Sequence, residues 1–212
     1  MKITKYGHAC LLVGEGEARI LVDPGGYSKG FEGLTGLNAV LITHQHGDHL
    51  SVENIAALAE KNPGLKVFAD EGSYAKLDDG SGLDIHAVHA GEEFDVAGGK
   101  VKVVGTDHAV IHPTMPGIPN VGYLIARKLF IPGDNFTLPG EPVDVLAFAL
   151  GAPWSKISEA IDYVLAVHPT VAIPYHDAVL AMPDMYADIV KRFTEPANVE
   201  LRVVPNGQST EV

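Results

Sequence analysis

Four side chains of the types that bind metal ions lie within six consecutive residues of the chain. They are His44, His46, Asp48 and His49. Residues two apart at a strand end point to the same side, so His44 and His46 can reach a common point, while Gly47 permits an unusual backbone angle in the turn. Imidazole nitrogens and carboxylate oxygens are the ligands that zinc and similar divalent ions prefer. The segment therefore predicts a metal site rather than a solvated histidine-rich turn.

The segment lies between a strand pattern and a helix pattern. Residues 39–43 form a continuous apolar run, which is typical of a strand covered on both faces. Ser51 is a suitable N-cap for a following helix, and apolar side chains recur after it at helical spacing until residues 62–64 end the pattern. These apolar side chains are Val52, Ile55, Leu58 and Ala59.

Apolar runs bounded by turn residues predict further short strands along the chain. These are residues 3–6, 10–13, 18–22, 66–69, 92–96, 100–105, 121–126, 129–131, 143–147, 171–173 and 200–204. A helix is expected over 155–166, and another after Pro183 with Met185, Ile189 and Phe193 on one face. Residues 107–120 are too rich in proline and glycine for a helix or a central strand. The pattern by itself supports an α/β or α+β class, with sheets covered by helices, in one domain over residues 1–212.

The His-x-His-x-Asp-His order resembles the metal-binding signature of the metallo-β-lactamase superfamily. Further segments extend the resemblance over most of the chain, toward the short bacterial metal-dependent hydrolases to which the ascorbate-6-phosphate lactonase-like proteins belong. They are Gly7-His8-Ala9, Leu21-Val22-Asp23-Pro24, Thr106-Asp107-His108, Ile131-Pro132-Gly133-Asp134 and Ile173-Pro174-Tyr175-His176. The resemblance implies a four-layer αββα sandwich of two mixed sheets with helices outside, and a site at the open edge between the sheets.

The resemblance assigns seven ligands to two divalent ions. They are His44, His46 and His108 for one ion, Asp48, His49 and His176 for the other, and Asp134 as the bridge between them. Ions paired in this way lie about 3.5–4 Å apart and share a hydroxide that acts as the nucleophile. The implied reaction is hydrolysis of an ester-like bond in a small metabolite: a lactone, phosphodiester, amide or thioester. Zinc is the expected ion, and manganese and iron accept the same ligands.

Two residues are predicted to take part in catalysis. Asp48 is expected to bind an ion and at the same time to orient the hydroxide. His8 is expected to contact the substrate or its leaving group. Asp23 either accepts a ring N–H from a ligand histidine or caps a turn. His112 lies in the loop after His108, and the sequence is compatible both with a contact to substrate and with a structural role.

The remaining candidate residues are expected to be structural. His86 and His89 belong to a solvent-facing strand or loop, and His168 ends a helix. Trp154 is expected to be a packing residue. Specificity is expected to lie in the loops 25–37 and 109–119, which carry few charged side chains and favour a small, uncharged or mildly anionic substrate.

Composition narrows the class of partner. The formal charge is −12, from 27 acidic and 15 basic residues, and a surface of this sign repels nucleic acid. The single cysteine, Cys10, lies in an apolar run and excludes an intrachain disulfide. No apolar stretch has the length of a signal peptide or a membrane span, so a cytoplasmic location without membrane contact is expected. The sequence is compatible with a monomer and with a homo-oligomer.

Three alternatives share the same ligand types. A di-iron redox protein is expected to carry a glutamate in place of His46. A mono-iron oxygenase on the same fold would differ in its metal content. A non-catalytic scaffold would typically have lost ligands, whereas all seven are present in this chain.

Overall fold

The computed structural model describes residues 1–78 and 82–212, which form fourteen strands, four α-helices and one 3₁₀ turn at Glu195–Ala197. The strands are β1 (Lys2–Lys5), β2 (Leu11–Glu15), β3 (Ala18–Val22), β4 (Ala39–Ile42), β5 (Lys66–Ala69), β6 (Asp84–Ala87), β7 (Glu93–Val96), β8 (Gly99–Val104), β9 (Gly122–Ile125), β10 (Leu129–Ile131), β11 (Val145–Ala149), β12 (Val171–Tyr175), β13 (Glu200–Leu201) and β14 (Ser209–Glu211). The helices are α1 (Val52–Lys61), α2 (Glu71–Leu77), α3 (Ile157–Val167) and α4 (Pro183–Thr194).

The strands form two mixed sheets of seven. The first has the order β14-β1-β2-β3-β4-β5-β6, and the second has the order β13-β12-β11-β10-β9-β8-β7. In each sheet one part is antiparallel and the other parallel; for example, β2 pairs antiparallel with β3, whereas β3 pairs parallel with β4.

The two sheets pack face to face because alternate residues of each strand point to opposite sides. In β4, Leu41 belongs to the core between the sheets, whereas Val40 and Ile42 pack on the opposite side with Ile55 of α1. Helix α2 contributes Leu77 to this outer cluster. Helices α3 and α4 cover the outer side of the second sheet in the same way. The result is the expected four-layer αββα sandwich.

Several predicted boundaries agree with the structure. The Ser51 hydroxyl caps α1 by accepting the backbone N–H of Asn54 at 3.3 Å. Strands β3, β5 and β10 have the predicted bounds, and Pro183 occupies the first turn of α4.

Other expectations were wrong or incomplete. The stripe of Met185, Ile189 and Phe193 does not form the buried face of α4, since Met185 is 44% and Phe193 is 55% exposed. The helix instead buries the smaller Ala187 and Val190. The last predicted strand is ordered as a strand only over Glu200–Leu201, and α2 and β14 were not predicted.

One edge of the sandwich collects the ends of many strands. β1, β3 and β4 run in one direction within the first sheet, since β2 is antiparallel to both β1 and β3. β8, β10, β11 and β12 likewise share one direction in the second sheet. Within each sheet, the loops that follow these strands therefore begin at the same end, where the carboxyl ends of these strands lie. Among the described residues, no helix is long and apolar enough to cross a membrane.

Candidate metal centre

All seven predicted ligands meet at this edge, in two adjoining groups. In each group the candidate ligand atoms lie within 4.8 Å of one another. The groups are His44, His46, His108 and Asp134, and His8, Asp48, His49 and His176. The structure thus brings His8 into the second group beside the predicted ligands.

Asp23 fixes the ring orientation of two of the histidines. Its Oδ2 atom accepts a hydrogen bond from Nδ1 of His49 at 2.8 Å and another from the Thr43 hydroxyl at 2.7 Å. Because the hydroxyl proton of Thr43 is given to Asp23, the 3.1 Å contact between Thr43 Oγ1 and His44 Nδ1 requires the proton to be on His44. When neutral, both histidines therefore carry their proton on Nδ1 and present an unprotonated Nε2. The geometry favours the first of the two roles considered for Asp23, that of holding a candidate ligand.

Main-chain carbonyls orient two further histidines in the same way. Nδ1 of His108 donates to the carbonyl of Ala109 at 2.6 Å, and Nδ1 of His176 donates to the carbonyl of Gly151 at 2.7 Å. A carbonyl oxygen only accepts, so these rings also present an unprotonated Nε2 when neutral. His46 differs, since its Nδ1 is the atom that lies 3.0 Å from Nε2 of His44.

Several buried polar atoms at this site have no hydrogen-bond partner among the described residues. They are Nε2 of His49, His108 and His176, and Oδ1 of Asp134. Buried polar atoms are seldom left without a partner, because each costs about 1–3 kcal/mol. A bound cation would satisfy all four, so the residues present fit the divalent ions that the resemblance implies.

Asp134 lies between the two groups. Its Oδ2 atom is 3.5 Å from Nε2 of His108 and 3.2 Å from Nε2 of His176, and its Oδ1 atom is 3.1 Å from Nε2 of His49. Burial opposes ionisation of Asp134, but the facing histidines outweigh it and hold the pKa of this carboxyl well below its usual range. Asp134 thus contacts histidines of both groups.

The turn that carries Asp134 is closely packed. Gly133 has a φ of +70°, and a Cβ added there would lie 2.3 Å from Oδ1 of Asn120. That same oxygen accepts the backbone N–H of Asp134 at 2.9 Å. Glycine is therefore required at position 133 for both its backbone angle and its close approach.

Trp154 is a site residue that the sequence reasoning missed. It was expected to pack only, yet its indole Nε1–H donates to Oδ2 of Asp134 at 2.8 Å. Its ring also contacts Phe136, with centroids 4.9 Å apart. The position of Trp154 in the chain was a signal. Asp134 follows β10 and His176 follows β12, and Trp154 follows β11, the strand that lies between these two in the sheet.

His8 contacts the other predicted catalytic residue, Asp48. Nε2 of His8 lies 3.1 Å from Oδ2 of Asp48, and its Nδ1 accepts the backbone N–H of Ala178 at 3.1 Å. Because Nδ1 is an acceptor, a neutral His8 carries its proton on Nε2 and donates it to Asp48. Burial would raise the pKa of Asp48, but the contacts of its carboxylate with the rings of His176 and His8 outweigh this effect and lower it. The carboxylate is therefore ionised at neutral pH.

The other histidines lie outside the two groups. His86 and His89 have side chains 44% and 54% exposed, and His89 lies between Glu71 and Glu92. His168 is the left-handed C-cap of α3, as its place at a helix end suggested. His112 is exposed and lines a pocket that reaches His46 and His108.

Comparison with known families and proteins agrees with this site. The family model described as "Beta-lactamase superfamily domain" matches residues 2–176, a range that contains every residue of the two groups. Protein Rv0786c of Mycobacterium tuberculosis is 46% identical over 210 residues, covering 97% of each chain. A protein of Alkaliphilus metalliredigens named UPF0173 metal-dependent hydrolase is 26% identical over 216 residues, covering 90% of this chain and 93% of its own.

Solved structures share the fold. Igni18, a metallo hydrolase from the archaeon Ignicoccus hospitalis, superposes with a TM-score of 0.77 at 21% identity, covering 100% of this chain and 98% of its own. YhfI from Bacillus subtilis, a metallo-beta-lactamase fold protein, superposes with a TM-score of 0.72 at 17% identity and 99% coverage of both chains. The expectation of a metal-dependent hydrolase agrees with the names of these relatives. With a family model that spans most of its length, the chain belongs to the beta-lactamase superfamily, in its metallo-β-lactamase fold.

Proposed function

We propose that the chain is a hydrolase that uses two divalent metal ions to cleave an ester-like bond in a small molecule. The observation that carries the proposal is the set of buried Nε2 and Oδ1 atoms without partners, which face one another at the edge where the strands end. The names of the similar proteins support the same class of reaction.

The proposed ligands are those that the family resemblance implies, and the tautomers of the neutral rings support them. His44, His46 and His108 would hold one ion, and Asp48, His49 and His176 the other, with Asp134 shared. Two such ions would supply Lewis acidity and lower the pKa of a water molecule, so that it can attack near neutral pH. A donor set dominated by imidazole suits zinc, which we propose as the native ion, with manganese or iron as alternatives.

Asp48 is the carboxylate placed to orient the attacking water. Its side chain is 20% exposed, so it reaches the open edge of the site, whereas the Asp134 side chain is only 4% exposed. The hydrogen bond from His8 to Oδ2 fixes the carboxylate in one orientation. We assign to His8 the role of positioning Asp48 rather than of binding an ion, since its only ring proton is on the nitrogen that faces the site.

The proposed substrate and location follow from charge and composition. The formal charge of −12 disfavours nucleic acid, so a small molecule is the proposed substrate. The single cysteine, Cys10, is fully buried and cannot form an intrachain disulfide. A reducing compartment such as the cytoplasm is therefore the proposed location.

The test is hydrolysis by protein that has been stripped with a chelator and reloaded with zinc, manganese or iron. Lactones, aryl esters, thioesters, amides and a phosphodiester form the substrate panel. We expect at least one class to be cleaved by the reloaded protein and not by the stripped protein. Asp134→Asn should lower that rate by at least about 100-fold, since even residues behind the ligands cost 10–100-fold.

Asp84→Asn is the matched control, because its side chain is 56% exposed and lies on β6, outside the two groups. It should leave the rate unchanged. Hydrolysis that is equal in stripped and reloaded protein would overturn the proposal. One tightly bound iron per chain with no hydrolysis would favour the mono-iron oxygenase instead.

A further inference from the structure

A pocket of about 480 Å³ opens directly beside His46 and His108. This volume lies within the range of small-molecule binding sites. The loop between β8 and β9 forms its wall, with mostly apolar side chains. They include Val110, Ile111, Pro113, Met115, Pro116 and Ile118. Among the lining residues, all of which the structure describes, none is Lys, Arg, Asp or Glu.

Two of the apolar side chains on this wall are open to solvent. Val110 is 70% exposed and Met115 is 52% exposed. Large apolar side chains that are exposed together beside a reactive centre mark a surface that a ligand covers. Burial of apolar ligand surface against them would stabilise a complex through the hydrophobic effect.

The wall is fixed relative to the candidate metal centre. At one end of the loop, the backbone N–H of Ala109 donates to the carbonyl of Asp134 at 2.9 Å. The backbone N–H of His108 donates to the carbonyl of Ile118 at 3.0 Å, which ties the two ends of the loop together. A group bound in the pocket is therefore held at a defined position relative to His108 and Asp134.

A neighbouring pocket of about 420 Å³ shares Gly117 and Ile118 with this wall. The acidic residues Asp70, Glu71 and Asp107 are among those that line it, and none of the seven proposed ligands does. The pocket that adjoins the candidate metal centre is therefore the one without acidic lining residues.

A polar group is also present in the apolar pocket. Nδ1 of His112 accepts the backbone N–H of Thr114 at 3.3 Å, so a neutral ring carries its proton on Nε2. His112 can thus donate one hydrogen bond to a carbonyl or ring oxygen of a bound molecule. A phosphate carried on the group that enters this pocket would lack a cationic partner, because neither Arg nor Lys lines the pocket.

We propose that this pocket binds the apolar alkyl chain of an uncharged lactone or ester whose scissile bond lies at the metal centre. The proposal rests on the hydrolase function proposed above and names the substrate class of that site. It predicts that the part of the substrate bound in the pocket is uncharged and apolar.

The test uses γ-lactones whose alkyl substituent grows from none to six carbons, with the zinc-reloaded full chain and a pH-stat assay. We expect kcat/KM to rise with each added CH₂, by up to about fourfold, until the pocket is filled. The double variant Val110→Ser/Met115→Ser should flatten this rise. Leu138→Ser is the matched control, because Leu138 is 54% exposed and does not line this pocket; it should keep the wild-type slope.

A second measurement separates this proposal from the hydrolase function. Titration calorimetry with the corresponding γ-hydroxy acids should give dissociation constants that fall as the chain lengthens, and the double variant should lose this trend. Cleavage of lactones without any dependence on chain length, or a preference for the phosphodiester, would overturn the pocket proposal while the hydrolase stands. A chain-length trend in binding without cleavage of any substrate of the panel would support the pocket and overturn the hydrolase.

Discussion

The indole N–H of Trp154 donates to Oδ2 of Asp134 at 2.8 Å, so the only tryptophan of the chain holds the carboxylate that lies between the two groups of candidate ligands. Hydrogen bonds to a ligating carboxylate fix its orientation and tune how strongly it donates to an ion. Trp154 is therefore a positioning residue for the candidate metal centre.

Trp154→Phe should weaken metal binding while preserving the fold, because it removes the N–H and keeps an aromatic ring. We expect the dissociation constant of at least one ion to rise by about 10–100-fold, measured by competition with a chromogenic chelator. Phe136→Leu is the control, since Phe136 touches the indole ring without bonding to Asp134. Equal weakening in both variants would mean that packing around the indole ring, and not its hydrogen bond to Asp134, determines the metal affinity.

Asp23→Asn should also weaken metal binding, through His49. The carboxylate accepts from His49 Nδ1, the Thr43 hydroxyl and the Thr43 backbone N–H. An amide has only one oxygen for these donors, so the tautomer of His49 is no longer fixed. We expect a loss of about tenfold or more in affinity by the same competition assay, with secondary structure retained by circular dichroism. Unchanged affinity would show that Asp23 caps a turn and does not contribute to metal binding.

His8 variants should retain the full complement of ions. His8→Phe removes the donor to Asp48, and His8→Gln supplies an N–H in its place. We expect two ions per chain in both variants, a lower kcat in His8→Phe, and recovery of kcat toward the wild-type value in His8→Gln. A drop to one ion per chain in either variant would show that His8 is a ligand, contrary to the tautomer deduced from its contact with Ala178.

The candidate ligands could be expected from the sequence because each is of a restricted residue type and comes after a strand. His44 and His46 come after β4, Asp134 after β10 and His176 after β12, so a correct order of strands and motifs also placed their side chains at one edge. Residue types and local periodicity singled out the segment from His44 to His49, whereas His108, Asp134 and His176 were expected from the family resemblance.

The contacts that orient the ligands were not predictable in the same way. Trp154 reaches Asp134 from a different loop, and Ala178 reaches His8 across 170 positions of sequence. Such contacts depend on how two loops approach each other, which periodicity does not encode. The orientation of α4 was also predicted wrongly, because the helix buries Ala187 and Val190 while the larger Met185 and Phe193 stay exposed.

Asp70 gives the fold a pH-dependent contribution that can be measured on stripped protein. It caps α2 by accepting the backbone N–H groups of Gly72 and Ser73, and burial raises its pKa from 3.8 to about 6. The folded state therefore binds the proton more tightly, and stability from this group is present below pH 4 and is lost as the pH rises through 6.

Asp70→Asn keeps an oxygen for the cap and removes the titration. Relative to wild type, its free energy of unfolding should increase by on the order of 1–3 kcal/mol between pH 4 and pH 7, measured by urea denaturation. Asp188→Asn on α4 is the control, because that carboxylate is exposed. A difference between Asp70→Asn and wild type that does not change with pH would contradict the assignment.

Metal stoichiometry tests the central claim most directly. Protein purified without a histidine tag is stripped, reloaded with zinc and analysed for metal per chain, together with His108→Ala and His176→Ala, which each remove a ligand from a different group. The account predicts two ions for the wild-type chain and one for each variant. One ion or none in the wild-type chain, under every loading condition with zinc, manganese or iron, would contradict it.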